Sequence, residues 1–159
     1  MLTQEQIKKD ALVFLRENNT CVVATSFNDD PRASTVYYYV DAHFNFYFVT
    51  KRNTSKYLNI EMNPRAAFVV GTGPEHISIQ GHGTVELIID EDEHEEMLER
   101  IMDALLDRKV ELWPIEELKK FRDRHEILFK IIPHRMFFMN LDSKAHAHTI
   151  SEEYMQVVP

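Results

Sequence analysis

FYFVTKRNTSKYLNIEMNPRAAFVV, residues 46–70, changes character three times in one short span. Phe46, Tyr47, Phe48 and Val49 form an aromatic and β-branched run that suits a strand. Thr50 to Thr54 replaces that run with hydroxyls, cations and an amide. Tyr57, Leu58 and Ile60 then fit the buried side of one or two helical turns, and Arg65 to Gly71 returns to a strand pattern. Thr54 or Ser55 suits the helix N-cap. The first N–H groups of a helix have no internal partner, and Lys56 sets a positive charge beside them, so this corner can hold a phosphate. An ordinary capped helix, with Lys51, Arg52 and Lys56 in water, accounts for the same residues, and spacing alone favours that reading, because short motifs often match by chance.

Upstream, Thr3 and Gln6 have capping-box spacing, and Ile7, Ala11, Phe14 and Leu15 share one helical face until Asn18-Asn19 interrupts it. This predicts a lid helix packed on a sheet. Residues 21–27 and 32–40 read as strands joined by an Asn28-Asp29-Asp30-Pro31 turn, and Asp41-Ala42-His43 turns the chain into the central stretch. Downstream, His76 to Ile89 alternates over much of its length, with Gly81 and Gly83 marking a bulge or sharp bend. Asp90 to Arg108 carries an apolar stripe of Leu98, Ile101, Met102, Leu105 and Leu106, with acids in the first turn where the helix dipole favours them.

Trp113-Pro114 breaks that pattern, and Pro114 suits the first turn of a second helix through about Arg122. Glu126 to Ile132 and Met136 to Leu141 read as two closing strands parted at Pro133, and the tail, 143–159, has too few apolar positions to assign an element. Spaced strands joined mostly by short turns, with helices at the edge, predict a mainly β (α+β) fold built on a closed barrel. One domain is expected: an N-terminal helix (1–19), a barrel core (20–89), a helical insertion (90–122), closing strands (126–142) and the tail.

The chain has 159 residues, of which 44% are hydrophobic, enough to bury a sizeable core. Its formal net charge of −8 argues against broad nucleic-acid binding, which needs clustered Lys and Arg. Cys21 is the single cysteine and lies in the apolar run Cys21-Val22-Val23-Ala24, so it reads as a buried strand residue. No stretch approaches the ~18 apolar residues of a membrane span. A cytoplasmic protein without membrane or nucleic-acid partners is the expectation.

From Thr20 to Ile89 the chain resembles the pyridoxamine-phosphate-oxidase-like flavin-binding split barrels. In that family a strand ending in Thr is followed by a loop, a hydroxyl and basic cluster, and a short helix closing on Asn-Pro. Here those positions are Thr50, Thr54-Ser55-Lys56 and Asn63-Pro64. The family's strand beside the flavin ring looks like Arg32 to Tyr38, and the later strands look like Arg65 to Gly71 and His76 to Ile89, with Gly83 and Glu86 at the family's Gly-x-x-Glu spacing.

The resemblance implies an FMN-binding split β-barrel, a homodimer with its flavin sites at the subunit interface, and oxidoreductase activity toward a small-molecule substrate or electron donor. It implies that the backbone of Ser34, Thr35 and Val36 edges the ring, with Val49 and Thr50 on the neighbouring strand and Thr54, Ser55 and Lys56 at the phosphate. Ser78 stands where the oxidases usually carry a flavin-contacting Gln, and Gln80 can substitute from two residues along the same strand face. Vitamin B6 oxidation is not implied, because those oxidases end in a Trp- and Arg-bearing segment whereas Arg135 is the last arginine here.

Other chemistries find less support. Arg32 and Arg52 can serve a phosphate or ring or simply sit in water, and Tyr37-Tyr38-Tyr39 can line a ring slot or fill a barrel, with Tyr38 pointing opposite to its neighbours. His94-Glu95 begins the zinc-protease pattern, but Leu98 stands where its second His belongs, and no metal is expected. His146 and His148, with His134, lack the supporting groups that fix metal ligands. A deazaflavin-dependent reductase is the alternative enzyme, although its basic groove has no second cluster beyond Lys56 here. A non-catalytic flavin- or haem-binding protein is the other alternative, with His43, His76 and His82 as candidate haem ligands.

Overall fold

The alternating apolar runs fold into strands that wrap around one core. A computed structural model describes residues 3–71, 77–106, 126–140 and, for backbone alone, 154–156. Within it the elements run α1 (Gln4–Glu17), β1 (Thr20–Phe27), β2 (Asp30–Val40), β3 (Phe46–Lys51), α2 (Ser55–Met62), β4 (Arg65–Val70), β5 (Ile77–Leu87), α3 (Glu91–Leu106), β6 (Glu126–Asn140) and β7 (Tyr154–Gln156). The sheet order is β3-β2-β1-β4-β5-β6-β7, and β3 also pairs with β6, which closes the first six strands into an antiparallel barrel.

Closure follows from period-2 patterning. In β1, Cys21, Val23 and Thr25 are buried; in β4, Ala66, Phe68 and Val70; in β3, Phe46, Phe48 and Thr50. Those side chains fill the barrel with Ile79, Val85, Phe129, Ile131, Met136 and Phe138. Tyr38 turns inward, only 2% exposed, while Tyr37 and Tyr39 face out, as alternation predicts.

The two short helices sit against opposite ends of this barrel. At one end Tyr38 Oη donates to the Leu15 carbonyl of α1 at 2.7 Å, and Asn18 Nδ2 closes the helix on the Phe14 carbonyl at 2.8 Å. At the other end Asn59 Nδ2 of α2 donates to Thr25 Oγ1 at 3.2 Å, and Asn63 Nδ2 to the Ser26 carbonyl at 2.9 Å. Thr3 caps α1 as its spacing predicts, accepting from Gln6 N at 3.2 Å. The Gln6 side chain bonds Asp10 instead of returning to the cap.

Three local outcomes differ from the sequence pattern. The β1–β2 turn is tighter than expected: Asn28 (φ 51°) and Asp29 (φ 59°) alone make it, residue types that tolerate the left-handed region, and β2 starts at Asp30. The two closing strands expected on either side of Pro133 are one strand, β6. Its ladder with β5 shifts register between His82 and Gly83, and Pro133 lies opposite Gly83, where the bulge removes the need for a ladder N–H. Gly83 is required there, because a Cβ would stand 2.1 Å from the Ile132 carbonyl oxygen. The tail adds β7, antiparallel to Phe137–Met139 of β6. The helix expected at 114–122 lies outside the described residues.

α3 packs on the outside of the barrel. Asp90 caps it by accepting from Glu93 N at 2.8 Å, and its apolar stripe buries Ile101 and Leu105 on Tyr47 and Leu128. Arg100 adds a clamp over the Tyr39 ring, 5.6 Å from its centroid. A second, smaller core thus lies between α3 and the outer face of β2, β3 and β6, and it is this core that leaves a gap.

Candidate functional site

β2 and β3 pair only from Tyr38↔Phe48 to Val40↔Phe46. Beyond that point β2 stays on β1 down to Asp30 and β3 stays on β6 out to Lys51, so the two strands part. The fork opens into a cavity of about 360 Å³, within the range of small-molecule sites. Thr35, Val36 and Tyr37 form one prong, and Val49, Thr50 and Lys51 the other. Leu98, Ile101, Met102 and Leu105 of α3 make an apolar wall, Thr54 and Lys56 make a corner, and Glu126 comes from the start of β6.

The corner forms because a buried threonine, Thr50, lies one residue before the end of β3 and a capped helix follows. Thr54 is the N-cap of α2, accepting from Tyr57 N at 3.3 Å. Its hydroxyl lies 3.0 Å from the Lys51 carbonyl and 2.9 Å from Thr50 Oγ1, while Lys56 Nζ reaches Thr50 Oγ1 at 3.4 Å. One direction of donation satisfies every hydroxyl: Lys56 to Thr50, Thr50 to Thr54, Thr54 to the Lys51 carbonyl. That chain uses one of the ammonium's three donors, through one long bond. Among the described residues no carboxylate pairs with Lys56, and burial lowers its pKa from the ordinary lysine value. A half-buried cation without a counter-charge, beside the open N–H end of a helix, is a place for an anion.

Glu126 is the residue that sequence reasoning missed. It stands opposite Lys51 in the β3–β6 ladder and faces outward, under α3. Its Oε2 is buried without a hydrogen-bond partner. Burial pushes its carboxyl up to about 7, with Lys51 pulling the other way. Its alternation with Ile127 marks it as outward-facing, but nothing in the local pattern says that a helix from another segment covers it.

Of the residues expected at a flavin site, Thr35, Val36, Val49, Thr50, Thr54 and Lys56 border this cavity, and Tyr37 joins them. Ser34, Ser55, Ser78 and Gln80 do not line it. Ser55 follows the cap on the exposed side of α2. Gln80 lies on the outer sheet face, in a row that runs Thr35, Val22, Val69, Gln80, Phe137 across five strands, and Ser78 is two residues away on the same face. Arg32 is exposed and paired with Asp30 at 2.7 Å, and Arg52 is exposed; neither lines the cavity. His134 bonds Thr84 at 2.9 Å, His146 and His148 lie outside the described residues, and no metal-binding group of three ligands occurs among the described residues.

Comparison with known proteins agrees with this architecture. No curated protein matches the chain. Among solved structures, the General Stress Protein 26 of Bacillus anthracis superposes with a TM-score of 0.64 at 20% identity, over 83% of this chain and 92% of that one. A Listeria innocua protein assigned to the pyridoxamine 5'-phosphate oxidases gives 0.63 at 18%, over 84% and 98%. A heme binding protein of Mycobacterium smegmatis gives 0.66 at 16%, over 87% of this chain and 54% of that one. The pyridoxamine 5'-phosphate oxidase family model matches residues 7–139, which together with the closed six-stranded barrel places this chain in that family.

Proposed function

We propose that the forked cavity binds flavin mononucleotide and that the protein is a small flavin-dependent oxidoreductase. The observation that carries this reading is the juxtaposition of a partly buried Lys56, which no carboxylate among the described residues pairs with, and a slot walled by Val49, Tyr37 and the apolar face of α3. A flavin nucleotide asks for both: a cationic corner for its phosphate and an apolar slot for its ring, with backbone edges to meet the ring's polar rim. The parted strands supply those edges at Thr35, Val36, Val49 and Thr50. When bound, the flavin would supply the electron transfer, while these residues hold its tail, orient its ring and keep water from the slot.

The site is completed by a second copy of the chain. The outer face of β1 and β4 carries Val22, Ala24, Ala67 and Val69, small apolar side chains outside the cluster that α3 packs on. A partner seated there would bring Ser78 and Gln80, which lie on the same outer face, into the subunit interface. The haem reading has less support: among the described residues no histidine or cysteine lines the cavity, His43 and His82 are exposed, and His76 lies outside the described residues. Among the described residues no helix is long and apolar enough to cross a membrane.

Titration of purified protein with FMN and with riboflavin, followed by flavin fluorescence, tests the proposal. Both ligands bind the wild type, and Lys56→Ala weakens FMN roughly tenfold or more while leaving riboflavin nearly unchanged, because only FMN carries the phosphate. An equal loss for both ligands removes Lys56 from the phosphate corner, and failure of the wild type to bind either flavin removes the reading.

A further inference from the structure

The cavity holds an acid as well as a cation, and the two are not paired with each other. Glu126 enters from β6 with one carboxylate oxygen buried and without a protein partner, in a cavity that α3 side chains also line. Among the described residues, the charged and titratable groups facing it are few. β3 contributes Lys51, directly opposite in the ladder; the α2 corner contributes Lys56; β2 contributes Tyr37; the face that α3 turns to the cavity is apolar. A buried acceptor without a protein partner is costly, and two events relieve it: uptake of a proton, or arrival of a ligand group that bonds to it.

We propose that Glu126 is the specificity-determining acid of this cavity: as a neutral carboxyl it donates a hydrogen bond to a phosphate monoester tail held at the Lys56 corner, and as a carboxylate it repels that tail. This rests on the flavin reading and adds to it a proton that travels with the ligand. Binding of the phosphate ester to the ionised form takes one proton from solvent onto a carboxylate oxygen of Glu126, and release returns it. The carboxyl is already held near 7 in the folded chain, so the exchange falls in the neutral range. An uncharged ligand of the same ring system has no tail to repel and takes up no proton.

The test uses the intact protein with FMN and riboflavin as probes, between pH 7.5 and 9, where the phosphate's own second ionisation is complete. The wild-type Kd for FMN is expected to rise by up to about tenfold per pH unit, the limit for one coupled proton. In Glu126→Gln, which keeps the side-chain shape, that rise is expected to flatten, leaving FMN bound more tightly than by wild type at pH 9. Riboflavin should show the same profile in both proteins. Calorimetry in two buffers of different ionisation enthalpy gives a second readout: close to one proton taken up per FMN bound at pH 8 in wild type, and close to none in Glu126→Gln or Glu126→Leu.

If FMN binds and the Glu126→Gln profile superposes on wild type, with equal proton uptake, Glu126 has no part in phosphate recognition and this inference falls while the flavin site stands. If neither flavin binds at any pH, both fall.

Discussion

Glu126 also sets how stability depends on pH. Its carboxyl sits at about 7 in the fold against an ordinary 4.5, so between those values the folded chain keeps a proton that the unfolded chain has released. Stability contributed by this group therefore falls as pH rises from about 4.5 to 7 and stays low above. Glu126→Gln should raise the melting temperature at pH 8 and leave it unchanged at pH 4.5; solvent reaches part of the side chain, which limits the gain to about 1 kcal/mol. An equal gain at both pH values would mean that the effect is packing and not charge. Cys21 behaves oppositely with respect to access. Its burial pushes the thiol up to about 12, so a disulfide reagent at pH 8 should label it only after denaturant is added, and rapid labelling of the native protein would contradict its place in the core. Cys21 was legible in the sequence because its burial follows from its immediate neighbours. Glu126 was not, because the cover over it is made by residues some twenty to thirty positions upstream.

At the level of elements, the sequence announced those whose signals are local. Thr54 with Tyr57, Ile60 and Asn63 gave α2 and its cap, and the leucine and isoleucine stripe gave α3. Removing the cap checks that reading: Thr54→Ala should cost about 1 kcal/mol of stability in urea unfolding and weaken FMN, whereas Thr54→Ser keeps the acceptor and should retain both. Pro133 misled because a proline inside a strand ordinarily ends it. Whether the missing N–H matters depends on the register of the neighbouring strand, and that register is set by Gly83, some fifty residues earlier. The role of α3 as a cavity wall was likewise hidden, since its stripe says that one face is buried but not against what. Met102 lies on that wall, half-buried. Met102→Trp should fill the slot and weaken FMN and riboflavin alike by more than tenfold, with the far-UV circular dichroism unchanged; retained binding of both would place the ring elsewhere.

For the whole molecule, the mainly β barrel with peripheral helices follows from the strand count, turn spacing and alternation, and these were readable because each strand has one face in a common core. Assembly is a different matter, since a half-apolar outer sheet face looks in sequence like any strand. Ala67 lies at the centre of that face, between Ala24 and His82 in the ladders, and is exposed in the single chain. If a second copy covers it, Ala67→Glu should shift the protein from dimer toward monomer in sedimentation and weaken flavin binding in the same step, because like charges would meet across the twofold axis. A wild type that sediments as a monomer with flavin bound would confine the site to one chain.

The short meeting of β2 with β3 reaches beyond ligand recognition. Every other seam of the barrel is a longer ladder, so the closed cylinder is weakest where Tyr38 to Val40 meet Phe46 to Phe48. Thermal breathing starts at such a place, and amide protons along it should exchange with deuterium ahead of those in β5 and β6. A molecule lodged in the fork stitches the two strands together where the protein itself does not, so the guest is at once cargo and rivet. The doorway for its entry needs no separate hinge.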